Sequence, residues 1–186
     1  MKPVLLAAAE VQAVCDAQQW RFCFIGGLAL LRWGEPRETV DVDLTLLTNF
    51  TGEDHYIAVL MEHFAPRIEH AAQFALANRV LLLRARSGVG IDIALGGLPF
   101  EESVVTRSSI FLYAPDLALR TCSAEDLIVL KAFANRPKDW VDIDNVIIRQ
   151  SAVVDWVYVE QQLGPLADAK DEPEIVTRLM ARRQSG

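Results

Sequence analysis

Three aspartates define the chemistry open to this sequence. Asp41 and Asp43 lie two residues apart in "VDVDLTLL", where apolar and polar residues alternate. In a strand, residues i and i+2 share a face and stand roughly 6–7 Å apart. The two carboxylates would project side by side, with Val42 and Leu44 toward the core and Thr45 extending the polar face. Carboxylates this close repel unless a cation lies between them. Magnesium takes a few carboxylates, keeps some waters and completes its shell with phosphate oxygens. A strand-borne D-x-D is therefore suited to a magnesium–triphosphate, although the pair alone also reads as an exposed strand face.

Asp92 adds to that pattern. It stands in "GVGIDIALG" between Ile91 and Ile93, and an unpaired buried carboxylate is costly. If its strand lies beside "VDVDL", Asp92 completes a three-carboxylate cluster. Two metals held there could activate an attacking hydroxyl and steady a leaving pyrophosphate. The alternative is an edge-strand aspartate facing water. Gly26 and Gly27 precede the pair, between an apolar run and a helical pattern. Glycines at that junction let backbone N–H groups approach phosphate at a helix N-terminus.

The elements that must position these residues follow from periodicity and punctuation. "PVLLAAAEVQAVCDAQQ" has helical spacing, with a first helix over about Val4 to Gln19, and "RFCFI" is a short buried strand. A helix starts at Gly26-Gly27 and stops near Gly34, before the loop "GEPRE". "GEDHYIAVLMEHF" is helical, with Ile57, Leu60, Met61 and Phe64 on one face. "RVLLLRARSGVGIDIALG" is two apolar runs around "SGVG", a hairpin. "PFEESVVT" gives a turn of helix and "SIFLYAPDLALRT" more strand. Ser123 with Asp126 caps the helix "SAEDLIVLKAFAN". "DWVDIDNVIIRQ", "VVDWVYVEQQLG" and "EPEIVTRLMARR" are helical. The expected fold is α+β, a mixed sheet flanked by helices over residues 1–120, with a helical C-terminal part, 121–186, packed on it.

Composition narrows the class. The chain has 186 residues, 52% of them apolar and 23% charged, which is ample for a globular core. No apolar stretch reaches the roughly 18 residues of a membrane span, so a cytoplasmic protein without membrane partners is expected. The opening "MKPVLLAAAE" superficially resembles a leader, but Glu10 interrupts it and the helical reading fits better. Cys15, Cys23 and Cys122 are an odd, unpaired set in apolar surroundings and read as buried thiols. His55, His63 and His70 lack metal-site spacing. The net charge of −7 argues against general nucleic-acid binding. Arg178, Arg182 and Arg183 form one local basic patch, equally explained by a helix C-terminus. Trp20, Trp33, Trp140 and Trp156 read as core or interface anchors.

In order along the chain, "GGLALLRWGEPRETVDVDL", "IDIALGG.PFE" and "SAEDLIVLKAFANRPKDWVDI" resemble the nucleotidyltransferase superfamily, with the DNA polymerase beta fold, and more closely the AbiEii-type nucleotidyltransferases of toxin–antitoxin and phage-defence systems. The resemblance spans roughly residues 20–150. It implies magnesium as cofactor, a nucleoside triphosphate (NTP) donor and transfer of a nucleoside monophosphate. The implied acceptor is a tRNA or other RNA 3′ end, a protein or a small molecule, with a cognate antitoxin as partner. Gly26 and Gly27 match the phosphate-contacting glycines, Asp41 and Asp43 the metal ligands, and Asp92 the third carboxylate and base for the acceptor hydroxyl. Lys131 matches a lysine expected near the triphosphate, and Arg37 a recurrent arginine before D-x-D. Asp139 and Asp142 match a "KD..D" stretch.

Leu28 departs from the pattern, because superfamily members often place there a serine whose hydroxyl meets phosphate. Each matched residue also has a plainer reading. Lys131 could be a solvated helix lysine and Arg37 a loop arginine pairing Glu35 or Glu38. Asp139 could be only a helix N-cap, with Asp142 and Asp144 on a solvated face. Two rival functions follow: a small-molecule, antibiotic-type adenylyltransferase using the same site, and a catalytically silent regulatory protein that kept the fold.

Overall fold

The structure is a computed structural model and describes residues 3–150 and 152–185. Met1 and Lys2, part of the leader-like opening, lie outside the described residues. The chain divides into two compact units, one of Met1–Leu28 with Glu38–Cys122, the other of Ala29–Arg37 with Ser123–Gly186. Most of the second unit is the helical stretch that begins at Ser123. It also takes in the segment 29–37, which belongs to it only through tertiary contacts.

The first unit is built on a mixed seven-stranded sheet. Its strands are β1 (Phe22–Phe24), β2 (Asp41–Leu47), β3 (Ala65–Pro66), β4 (Val80–Arg84), β5 (Gly90–Gly96), β6 (Ser109–Ala114) and β7 (Leu117–Thr121), in the order β3-β4-β5-β2-β1-β7-β6. β2 and β5 run parallel at its centre, while β1–β2, β4–β5 and β6–β7 are antiparallel. Four helices accompany the sheet. α1 (Pro3–Ala17) packs on β2 and β7, and α3 (Glu53–His63) on α4 (Ala71–Asn78). α4 packs on β4, and α5 (Pro99–Thr106) on β1 and β2.

Strand alternation makes the core. Val42, Leu44 and Leu46 of β2 stand opposite Ile91, Ile93 and Leu95 of β5, all essentially inaccessible, and Leu81 and Leu83 of β4 continue the layer. Leu44 and Leu46 also meet Phe24 and Phe22 of β1. The other face of β2 changes character along its length. Asp41 and Asp43 are half-buried, whereas Thr45, expected to extend the polar face, is 2% exposed. The carboxylate face is therefore open only at the N-terminal half of the strand.

Local signals account for the connections. Gly88 turns the β4–β5 hairpin at φ 88°, a conformation that disfavours other residues. The Glu101 carboxylate accepts the Gly97 and Leu98 N–H groups and so fixes the start of α5. β3 and α4 were not legible in the sequence. α4 is bracketed by His70 and Arg79, both in the left-handed region. The Arg79 side chain bonds the Glu53 carboxylate at 2.6 Å and the Asn49 carbonyl at 2.7 Å, tying down the loop before α3.

α2 (Gly26–Trp33) starts in the first unit and runs into the second. The second unit also holds α6 (Ala124–Ala134), α7 (Pro137–Gln150), α8 (Trp156–Ala169) and α9 (Glu174–Ser185). The N–H of Asp126 donates to the Ser123 hydroxyl at the start of α6, as the capping pattern predicts. α6 packs against α7, α8 and α9. The basic residues of α9 are engaged inside this unit: Arg178 lies 4.1 Å over the Trp140 ring and Arg183 5.3 Å over Trp156, while Arg182 pairs with Asp144. All three cysteines are buried, as expected, and no helix among the described residues is long and apolar enough to cross a membrane.

Candidate active site

The parallel register of β2 and β5 sets Asp43 directly opposite Asp92, and Asp41 opposite Gly90. Parallel partners point to one face, so the three aspartates share the open half of that face. Asp92 lies on an interior strand, between β4 and β2, which rules out the edge-strand reading. Ile91 and Ile93 on either side of it are fully buried, while the Asp92 side chain keeps 35% of its exposure.

The glycines are shaped by these carboxylates. Gly26 has φ 54°, and a Cβ there would stand 2.8 Å from Cγ of Asp43. The backbone N–H of Ile25 donates to the Asp43 carbonyl at 2.9 Å, so strand and loop are locked together beside the carboxylate. A Cβ on Gly27 would run into Thr39, 2.8 Å from its own Cβ. These residues open α2, whose first N–H groups lack intrahelical partners by the geometry of any helix end. The glycines thus have two reasons to be there, room for Asp43 and Thr39 and access to backbone N–H groups. Leu28 is fully buried, and its carbonyl accepts the Tyr113 hydroxyl at 2.6 Å. Its side chain is core and makes no polar contact.

Sequence reasoning missed Arg67. Its guanidinium donates from Nη2 to Oδ1 of Asp92 at 2.5 Å. No spacing or motif in "FAPRIEH" signals it; only the sheet brings it to Asp92. Burial pushes the Asp92 carboxyl up from its usual value, Arg67 pulls the other way, and the nearby charge of Asp41 adds to the rise.

The donor chemistry fits a hard divalent cation, carboxylate oxygens without thiol or imidazole. Asp41, Asp43 and Asp92 are the residues that would hold one. Among the described residues no group of three or more His, Cys, Asp or Glu side chains is gathered as a ready metal site.

Arg37 and Lys131 lie in the helical unit, in a cluster of their own. Lys131, 5% exposed, donates to Asp142 at 2.6 Å and to Asp139 at 3.4 Å. Arg37 grips Asp142 with two bonds of 2.9 Å, and Arg136 grips Asp139 at 2.6 and 3.2 Å. Burial alone would push both carboxyls up, but these cations hold them below the usual carboxylate value. The solvated readings of Lys131 and Asp142 are therefore corrected: both are buried, and Arg37 pairs with Asp142. Asp139 is more than a cap, since it closes the same network from the first turn of α7.

Comparisons agree with this fold. The solution structure of the antibiotic-resistance factor ANT(2'')-Ia superposes with a TM-score of 0.58 at 16% identity, over 91% of this chain and 94% of that one. An antigenic nucleotidyltransferase-like protein from Paracoccidioides brasiliensis gives 0.53 at 15% identity, over 94% and 92%. The lincosamide antibiotic adenylyltransferase LnuA, lincomycin-bound, gives 0.53 at 14% identity, over 78% and 96%. At these identities the likeness is one of fold, the polymerase-beta-like nucleotidyltransferase fold. No curated protein matches the sequence. The family model described as "Nucleotidyl transferase AbiEii toxin, Type IV TA system" matches residues 11–154. The match takes in the glycine pair, all three sheet aspartates, and Lys131 with its two carboxylates, and the chain belongs to the AbiEii nucleotidyltransferase family.

Proposed function

We propose that this protein is a magnesium-dependent nucleotidyltransferase that moves a nucleoside monophosphate from an NTP to an acceptor hydroxyl, acting as a toxin on an RNA 3′ end. The observation that carries the reading is the register of Asp43 against Asp92 on adjacent parallel strands, with Gly26 pressed on Asp43. Asp41 and Asp43 would hold the metal, with Asp92 completing the set. When bound, the metal supplies positive charge to the triphosphate and to the leaving pyrophosphate. Asp92 accepts the proton of the acceptor hydroxyl at a carboxylate oxygen. The open N–H groups at the start of α2 receive phosphate oxygens. The family resemblance assigns Lys131 and Arg37 a phosphate-directed role; within the helical unit both are held by Asp142. Positioning and charge neutralisation do most of the work, as in phosphoryl transfer generally.

A small-molecule acceptor is the second reading. Its support is the net charge of −7, which fits a cationic small acceptor at least as well as RNA. One label-transfer experiment separates the two. Purified protein is incubated with magnesium and each α-labelled NTP, with total RNA or an aminoglycoside and lincosamide panel, beside Asp41→Ala. Label on RNA 3′ ends with the wild type alone supports the toxin reading and names the base. Label on a small molecule moves the assignment to that acceptor. No label, with no NTP binding by calorimetry, overturns the enzyme reading and leaves a silent protein with this fold.

A further inference from the structure

Arg67 reaches the site by way of the sheet. Its backbone N–H donates to the Leu82 carbonyl at 3.0 Å, and Leu82 is the β4 partner of Asp92 on β5. The guanidinium bonds Asp92 through Nη2. Its other terminal nitrogen, Nη1, lies 2.5 Å from where a Cβ on Gly90 would stand, and Oδ1 of Asp41 crowds the same point. Glycine at 90 therefore leaves the space over β5 to a guanidinium and a carboxylate together. Arg67 also lines an open cleft of about 630 Å³ with Met61, Ile68, Glu69 and Gln73, which gives its side chain room to swing away. We propose that Arg67 is a built-in counter-cation for Asp92, displaced when the carboxylates take up a metal ion, so that this one side chain sets the metal affinity of the site. The inference rests on the metal-dependent reading above. Its physical basis is competition: the guanidinium on Oδ1 repels an incoming divalent cation and offsets the carboxylate charge that would hold it.

The test is calorimetric titration with magnesium ion alone, without nucleotide, on wild type, Arg67→Met, Asp92→Asn and the double variant, with folding checked by circular dichroism. Loss of the competing charge in Arg67→Met is expected to tighten magnesium binding by roughly tenfold. In the Asp92→Asn background the same substitution is expected to gain little, because the pair it would release is gone. Unchanged or weaker binding in Arg67→Met overturns the proposal. So does an equal gain in both backgrounds, which would mean through-space charge without displacement from Asp92. Should Arg67→Met fail to fold, Arg67→Lys keeps the charge but loses the planar grip, and a smaller tightening is expected of it; none would overturn the proposal. Label transfer run in parallel separates the failures. Wild type that transfers label while Arg67→Met shows no tightening sinks the Arg67 proposal alone. No magnesium binding in any variant together with no transfer sinks both.

Discussion

The sheet unit and the helical unit each gather aspartates, and they treat them in opposite ways. In the helical unit Asp139 and Asp142 are 0% and 2% exposed and are enclosed by Lys131, Arg37 and Arg136. In the sheet unit Asp41, Asp43 and Asp92 stay half-buried on the open end of one sheet face. A sealed, fully bonded carboxylate cannot meet a ligand without breaking its own network. A half-open one can exchange its neighbours. Residue type alone does not mark a site; the degree of closure around it does.

The sharpest way to break this contrast is Asp142→Ala. It leaves Lys131 buried with its closer partner removed, and such losses cost about 3–5 kcal/mol. Thermal and urea unfolding should show that destabilisation; a melting temperature within a degree of wild type would refute the sealed-network account. Asp41→Asn should do the reverse. Stability should stay within about 0.5 kcal/mol of wild type, because the side chain is half-open and its loss of charge relieves repulsion with Asp92. Nucleotide transfer should fall by roughly a hundredfold or more, the scale of lost metal-centred charge stabilisation. Coincident loss of folding and activity would place Asp41 with the structural aspartates.

Glycine substitutions sharpen the contrast further. Gly26→Ala should cost about 1–2 kcal/mol or more, combining left-handed backbone strain with collision against Asp43. Gly52→Ala, at φ 90° with open space around it, carries the backbone strain alone. The difference between the two in urea unfolding measures the crowding at Asp43, and equal costs would mean that there is none. The smallest effect is on pH dependence. Asp139 and Asp142 titrate lower in the folded state, so their contribution is present above the unfolded carboxyl value of about 3.9 and is lost as pH falls through the folded values. Asp92 titrates higher in the metal-free fold, so its proton favours folding, and stability declines as pH rises from the unfolded value through the folded one. Asp92→Asn should therefore flatten the decline above pH 4 in metal-free melts and leave the acid loss below it in place.

Local signals were readable where they were self-contained. The capped start of α6 needs only Ser123 and Asp126, three residues apart. The β4–β5 hairpin needs only two apolar runs and a glycine turn. The face of α3 was nearly right, with Ile57, Leu60 and Phe64 buried and Met61 only half so. Segments 65–66 and 71–78 were missed because β3 is two residues long and α4 carries no strong apolar stripe. Thr45 was misread because alternation predicts which face a side chain points to but not whether something packs over it.

By itself the sequence determined the chemical types at the site. Two aspartates on one strand face, a third between isoleucines, and a glycine pair at a strand–helix junction follow from periods of 2 and 3.6 and from glycine's backbone freedom. The tertiary structure alone decided which groups meet. The pairing of β2 with β5 spans more than forty residues of chain, and only that pairing puts Asp92 opposite Asp43. Arg67 comes to Asp92 only because β3 and β4 extend the sheet. The enclosure of Asp142 by Arg37 joins positions 105 residues apart. Side-chain periodicity is a property of a few neighbouring residues. Burial, ion pairing and site assembly depend on contacts between distant ones, which no short stretch of the sequence encodes.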